Sequence, residues 1–335
     1  MTGTLDRPPV REAAKERPRL LSTADFRLLG LAGVLAVLCV VGQLTRPDTF
    51  LTQDNLSTML RLAAAIGVVS VGMTFVIIAG GIDLSVGSIV ALSSVWMTTL
   101  ATQSYGPFVM VLCALLVGLG CGLVNGVLVA YGRVVPFITT LAMMASARGL
   151  AERISARRTQ VVTETGFTEF FRGASLGVPV LVWLLALVFA AGWIVLNRTT
   201  FGRRTFAIGG NAEAARLSGI NVRLHGVLVY GFLGLCCGIA AVMVVARTTS
   251  GASTNGMFYE LDAIAAVVIG GTALSGGRGS LVGTLLGVLI FTVLNSIFTQ
   301  NNLDTDIQNI AKGAIIVGAV LLQYATSARR GRNAT

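Results

Sequence analysis

Charge is scarce in this chain: Asp, Glu, Lys and Arg fill only 12% of its 335 positions, about half the roughly 25% of an ordinary soluble domain. A soluble core of this length does not account for that deficit. Histidine is nearly absent, with His225 alone, which leaves little material for a His-based catalytic triad or a histidine metal cluster. The five cysteines, Cys39, Cys113, Cys121, Cys236 and Cys237, all fall in apolar runs without metal-like neighbours. A disulfide framework or a Cys/His metal site is thereby excluded in favour of small buried hydrophobes. No G-x-x-x-x-G-K-[ST] occurs, so the chain supplies no P-loop of its own, and H-E-x-x-H and a G-x-S-x-G elbow with triad partners are missing too. No residue is expected to be catalytic and none to hold a metal.

Apolar residues fill the space. They make up 54% of the chain, mean hydropathy is +0.79, and they gather into runs of roughly 17–25 residues, the length that crosses about 30 Å of hydrocarbon. The expected fold is an all-α polytopic membrane protein. Ten spans are expected, at 28–44, 62–79, 86–101, 108–130, 136–150, 180–196, 227–246, 263–269 with its flanks, 281–298 and 307–324. Forty glycines suit helices that must approach closely, since lipid supplies no hydrophobic drive between them. The stretch FLTQDNLSTMLR reads as a short interfacial helix before the second span, with Asp54 or Asn55 as its cap.

The net charge of +10 sits where membrane topology rather than nucleic acid would put it. Segment 1–27 and tail 326–335 each carry more Lys and Arg than Asp and Glu, and the membrane-spanning part between them, 28–325, holds most of its own basic surplus in the connection 197–223. Basic flanks mark cytoplasmic ends, and ten spans return both termini to the same side. The connection 197–223 carries Arg198, Arg203, Arg204, Arg216 and Arg223 against Glu213 alone, as a cytoplasmic loop should. The connection after the fifth span is expected outside although it holds Arg153, Arg157, Arg158 and Arg172, offset by Glu152, Glu164 and Glu169.

Few ionisable residues lie near the apolar runs: Asp83, Glu260, Asp262, Lys312 and Arg278. A charge at the centre of a membrane helix costs about 2.5–3.5 kcal/mol on insertion scales, so each needs a partner, a cavity or an interface. Asp83 stands in IIAGGIDLSVGS, where Gly80, Gly81 and Gly87 permit irregular backbone. Two readings stay open: Asp83 caps the third span, or a broken helix lets it line a polar path. The frame GG-x-x-LS recurs in IGGTALSGGRGS, a faint internal echo.

The loop TTFGRRTFAIGGNAEAARLSG is more distinctive. Asn211 can cap a short helix bearing Ala214 and Ala215, with Glu213 at its favoured N-terminal end. Such a helix suits docking into a partner's groove, or serves as an ordinary connector.

IIAGGIDLSVGS, NGVLVAYGRVVPFITTLAMMASARGL, FGRRTFAIGGNAEAARLSGINV and YELDAIAAVVIGGTALSGGRGSLVGTLLG, in that order, resemble the permease subunits of ribose-type ABC sugar importers over about residues 50–325. The resemblance implies a type II importer permease fold with one or more broken helices, in the bacterial inner membrane. It implies a separate ATPase with two nucleotide-binding domains, which would hold ATP and Mg. An extracytoplasmic solute-binding protein and a second permease chain, identical or not, complete the expected assembly. The ATPase dock carries over to Glu213, Ala214, Ala215 and Gly219, within a coupling loop that also contains Gly202, Arg203, Arg204 and Asn211. A neutral sugar would call on hydroxyl and amide groups, for which Thr74, Ser85, Ser93, Asn125 and Asn295 join Asp83 as path candidates; Glu260 and Asp262 stand as intramembrane charges. The rivals are an ion-coupled secondary transporter, with Asp83, Glu260 or Asp262 as coupling site, and an importer permease for a nucleoside, a branched-chain amino acid or a sugar-like signal molecule.

Overall fold

The computed structural model describes residues 23–332. Most of the basic segment 1–27 and the last three residues of the tail 326–335 lie outside the described residues. The chain is helical almost throughout. Its elements run α1 (Thr23–Thr45), α2 (Gln53–Ile78), α3 (Val86–Met97), α4 (Leu100–Gln103), α5 (Pro107–Ala130), α6 (Pro136–Ser155), β1 (Gln160–Val161) and α7 (Thr165–Arg172). They continue with β2 (Ala174–Ser175), β3 (Val178–Pro179), α8 (Val180–Arg198), α9 (Thr200–Gly210), α10 (Ala212–Leu217), α11 (Val222–Thr248), β4 (Ser250–Gly251), α12 (Tyr259–Ile269), α13 (Leu281–Gln300) and α14 (Thr305–Arg332). The two-residue strands qualify the all-α expectation only slightly: β1 pairs with β4 and β2 with β3, both antiparallel.

Six described helices are long and apolar enough to cross a membrane: the described part of α1 with α2, α5, α8, α11 and α13. That is fewer than the ten expected. The third and eighth expected spans are the short helices α3 and α12, of 12 and 11 residues. The fifth is α6, which carries Arg148, Glu152 and Arg153 in its second half, and the tenth lies within α14. The expected interfacial helix is corrected as well. FLTQDNLSTMLR runs unbroken into α2, and the cap is Thr52, whose hydroxyl accepts from Asn55 N, rather than Asp54 or Asn55. The third expected span, 86–101, is broken at Thr98 and Thr99, where Thr99 starts α4 by accepting from Thr102 N.

A repeat organises these helices. Lengths of 26, 12, 24 and 20 residues in α2, α3, α5 and α6 recur as 27, 11, 20 and 28 in α11, α12, α13 and α14. Packing follows the same exchange. α11 packs on α5 and α3 while α2 packs on α13 and α12; α3 meets α5 and α6 as α12 meets α13 and α14. α2 ends, and α11 begins, on the face that bears α9 and α10, so the two units are inverted relative to one another. The GG-x-x-LS echo does not mark this repeat, because it follows α2 in one unit and α12, the counterpart of α3, in the other.

α2 and α11 form the core, with Val68, Met73, Phe75, Leu233, Cys237 and Val244 among its buried side chains. The seam between α5 and α11 is glycine on glycine. A methyl placed on Gly118 would lie 2.7 Å from Gly238 N, and one on Gly122 would lie 2.9 Å from the Gly234 Cα. Contact of backbone with backbone is the packing that small residues permit when no solvent drives association. Gly120, on the same helix, has open space around it. Gly122→Val is therefore expected to destabilise the protein by about 1–3 kcal/mol or more through overpacking, while Gly120→Ala leaves it unchanged. Thermal unfolding in detergent, followed by tryptophan fluorescence, checks both.

Candidate functional site

Three polar or glycine-lined clusters occur at the breaks in the helices. The first is built on Asp83. α2 ends at Ile78, Gly80 turns the chain with φ of 87°, and Asp83 follows, 1% exposed. Its Oδ1 accepts from Ser85 N at 2.7 Å and from Ser85 Oγ at 2.6 Å, and its Oδ2 accepts from Asn125 Nδ2 of α5 at 3.3 Å. The same Asn125 amide donates to Ser85 Oγ at 2.9 Å. Asp83 thus closes an Asx-type turn at the entrance to α3 and fastens it to α5. The N-cap residue of α3 is Ser85, which makes no side-chain cap bond. The Tyr230 hydroxyl of α11 sits 2.6 Å from where a Gly81 side chain would begin, so glycine is required there. Tyr230 Oη and Asn125 Oδ1 find no hydrogen-bond partner among the described residues.

Of the six path candidates, the structure brings together Asp83, Ser85 and Asn125. Thr74 instead bonds across helices to Thr284 Oγ1 at 2.9 Å and back to Ser70 O. Ser93 is buried in α3 away from this cluster's bonds, and Asn295 is half-buried on α13.

The second cluster lies where α3 and α12 begin. Residues 250–258 run from the β1–β4 pair down the side of α3: Asn255 Nδ2 donates to Ser94 Oγ at 3.2 Å, and Gly256 packs against Val90 and Gly87. A methyl on Gly87 would collide with Gly256 O and lie 2.5 Å from Glu260 Oε2. The first turns of two short helices therefore face each other. At 1.5 Å per residue they are about 18 and 16 Å long, each roughly half a hydrocarbon thickness. Their N-termini carry partial positive charge, answered by Asp83 before α3 and by Glu260 and Asp262 in the first turn of α12. Asp262 also pairs with Lys312 of α14 at 3.3 Å, which joins two residues singled out in the sequence. Arg148 of α6 donates to Ser253 O and to Asn255 O. Sequence reasoning missed Arg148, although an arginine inside SARGL, at the end of an apolar run, was a signal.

The third cluster joins the loop 197–223 to the breaks. Asn211 caps α10 as expected, its Oδ1 accepting from Ala214 N at 2.9 Å. Glu213 pairs with Arg216 at 2.5 Å, both largely exposed, and that guanidinium holds the Glu213 carboxyl below its ordinary range. Ala214 is exposed and Ala215 buried, and Gly219 takes a φ of 81° that follows the helix end. Arg203 and Arg204 are exposed and Gly202 packs against Leu196. The unexpected part is the end of α9. A methyl on Gly209 would collide with Ile78 O and lie 2.6 Å from Gly277 N; one on Gly277 would lie 2.9 Å from the Gly210 Cα; one on Gly276 would lie 3.1 Å from the Gly80 Cα. Gly277 N donates to Ile78 O at 2.8 Å. The loop, the end of α2 and the α12–α13 turn thus meet through close backbone contacts at these glycines. Repeated diglycines, in FAIGGNAE and LSGGRGS, were the available signal.

A groove of ≈ 490 Å³ between α3, α5 and α6 is apolar, lined by Leu92, Trp96, Val124, Met143 and Leu150 with the hydroxyls of Thr139 and Ser146. Its chemistry differs from that of the three clusters.

Residues 55–320 match the family described as branched-chain amino acid transport system / permease component. The chain is 43% identical over 315 residues to the ribose import permease protein of Bacillus subtilis, covering 93% of this chain and 98% of that protein. It is 42% identical over 304 residues to the ribose import permease protein of Escherichia coli K12, with 87% and 92% covered. To the galactose/methyl galactoside import permease protein of E. coli K12 it is 35% identical over 328 residues, with 90% and 95% covered. No solved structure matches.

The Asp83 cluster sets a donor–acceptor test. Asp83→Asn turns an acceptor into an amide facing the Asn125 amide, which leaves buried groups unpaired at about 1–3 kcal/mol. Asp83→Asn with Asn125→Asp restores one carboxylate and one amide, and is expected to recover most of the lost thermal stability in detergent.

Proposed function

The chain belongs to the branched-chain amino acid transport system / permease component family, and from that premise we propose that it forms the translocation path for a monosaccharide or a related neutral, hydroxylated solute. The chain is a membrane permease subunit of an ABC importer, not an enzyme, and ATP is hydrolysed on a separate chain. The sugar reading rests on its relatives, whose names specify ribose and galactose or methyl galactoside. A zwitterionic amino acid would call for an accessible charge pair inside the path. The one buried pair among the described residues, Lys312 with Asp262, has its carboxylate 7% exposed and is already matched within the protein.

Ten membrane segments fit this reading. Each inverted unit contributes three longer helices and one half-length helix, and α1 and α8 complete the set. With the loop 197–223 in the cytoplasm, both termini lie there too. A second permease chain beside this one would close the path. The ATPase with two nucleotide-binding domains would dock on α10 at Glu213, Ala214, Ala215 and Gly219, and the solute-binding protein would seat on the opposite face.

The observation that supports coupling is the backbone junction of α9 with Ile78 and Gly277. Closure of the ATPase would displace α9 and α10, and at Gly209, Ile78 and Gly277 the contact is backbone on backbone, which yields little to the movement. Both helix breaks would shift together, favouring one of two path conformations. This is alternating access biased by a ligand that binds one state better.

Purification of the tagged chain in mild detergent, with mass spectrometry of stoichiometric partners, tests the reading. A P-loop ATPase of double-domain size is expected, and its consistent absence under conditions that keep other membrane complexes intact would sink it. Gly209→Ala is expected to keep that ATPase bound while lowering ATP-driven uptake at least tenfold, measured in proteoliposomes alongside ATP hydrolysis. Uptake equal to the unaltered protein would remove the junction from the mechanism.

A further inference from the structure

We propose that Arg148, Phe258 and Glu260, gathered where the two half-length helices begin, form a subsite that contacts a monosaccharide during its passage; the cargo class rests on the function proposed above. The first support is depth. Residues 250–258 leave the β1–β4 pair, descend beside α3 and reach the start of α12, which has only 11 residues left before its far end. Non-helical backbone at that level is tolerated where protein buries it or where it borders a watery cavity. Part of this segment is not buried: Thr254 is exposed, and Met257 and Phe258 are 57% and 40% exposed.

The second support is charge. Arg148 and Glu260 are each only half-buried. A surface bearing such groups inside the membrane is costly against lipid and belongs to a polar path or to a protein neighbour. Arg148 already spends part of its donor fork on Ser253 O and Asn255 O; a guanidinium has five donors, so others remain. Glu260 lies near enough to interact with Arg148 through space and offers carboxylate acceptors.

The third support is the backbone. Phe258 holds a left-handed conformation with φ of 65°, although it is the residue before α12 and an aromatic. A bulky residue there is uncommon, and such positions gather at functional sites. Glycine or asparagine would hold the same turn more easily, so the ring sits there at a conformational cost. A sugar presents an apolar C–H face and a rim of hydroxyls. An aromatic ring two residues before the Glu260 carboxylate, on the segment whose Ser253 and Asn255 carbonyls the Arg148 guanidinium holds, offers both parts, with the negative ring face meeting the C–H groups.

The assay uses the complete complex, permease with ATPase and binding protein, in proteoliposomes. It follows uptake of radiolabelled D-ribose and D-galactose together with binding-protein-stimulated ATP hydrolysis. For whichever sugar the unaltered complex imports, Phe258→Leu is expected to lower maximal uptake at least fivefold with ATP hydrolysis within twofold. Phe258→Tyr, which keeps the ring, is expected to stay within twofold in both. Uptake by Phe258→Leu within twofold, or an equal loss in Phe258→Tyr, would overturn the subsite and leave the importer reading standing. Glu260→Gln adds a second readout, a raised half-saturation for sugar with ATP hydrolysis intact, and an unchanged value would count against its contact. ATP-driven import of L-leucine with neither sugar carried would overturn the sugar reading and this subsite with it.

Discussion

A chain that crosses hydrocarbon must satisfy its own backbone hydrogen bonds, and every helix break in this protein is arranged around that requirement. α3 and α12 stop after 12 and 11 residues, which frees backbone groups at depth. The freed groups are met from elsewhere in the chain. Asp83 takes the Ser85 amide, Arg148 takes the carbonyls of Ser253 and Asn255, and Gly277 N bonds to Ile78 O. The first bond closes a turn within its own break, while the Arg148 and Gly277 bonds reach from one unit to the other, so two of the breaks are also points where the inverted units are fastened.

Glycine makes the fastening compact. Where α5 meets α11, and where α9 meets the ends of α2 and the α12–α13 turn, backbone touches backbone. A soluble protein would fill such contacts with apolar side chains and gain from the water released. Lipid offers no such gain, so close approach and dispersion carry the association. At those glycine contacts there are no rotamers to relax, and a displacement on one side is passed to the other.

The long helices were legible in the sequence because length and hydropathy decide them: α5, α8, α11 and α13 fall close to their expected bounds. The cap of α10 at Asn211 was legible for a local reason, since cap and amide lie three residues apart. The cap of α2 was misread because TQDN offers several cappers, and the continuous helix uses the earliest, Thr52. The half-length helices were read as one full and one interrupted span, since an apolar run does not reveal whether its helix stops midway. The contacts that organise the site were beyond local reading. Arg148 meets Ser253 across 105 residues, and the inverted repeat lies in helix length and packing, while the visible GG-x-x-LS echo joins turns that are not counterparts. Asp83 shows the middle case: its importance was visible, but the Asn125 that holds it lies 42 residues away.

α12 connects the two ends of the proposed mechanism. Its first turn carries Glu260 and Asp262 beside Phe258, and its last turn leads through Gly270 and Gly271 into the glycines that meet α9. Between them lie 11 residues of regular helix, a rod about 16 Å long that neither bends nor stretches easily. Asp262 ties that rod to α14 through Lys312, while Glu260 presses on the first turn of α3 at Gly87. A push delivered at Gly277 would therefore reach Phe258 as a rigid movement. The same movement would shift α12 against α3, the counterpart that faces it across the repeat. A half-length helix, which looks like an incomplete span, is in this arrangement short enough to be driven from one end and deep enough to act on cargo at the other.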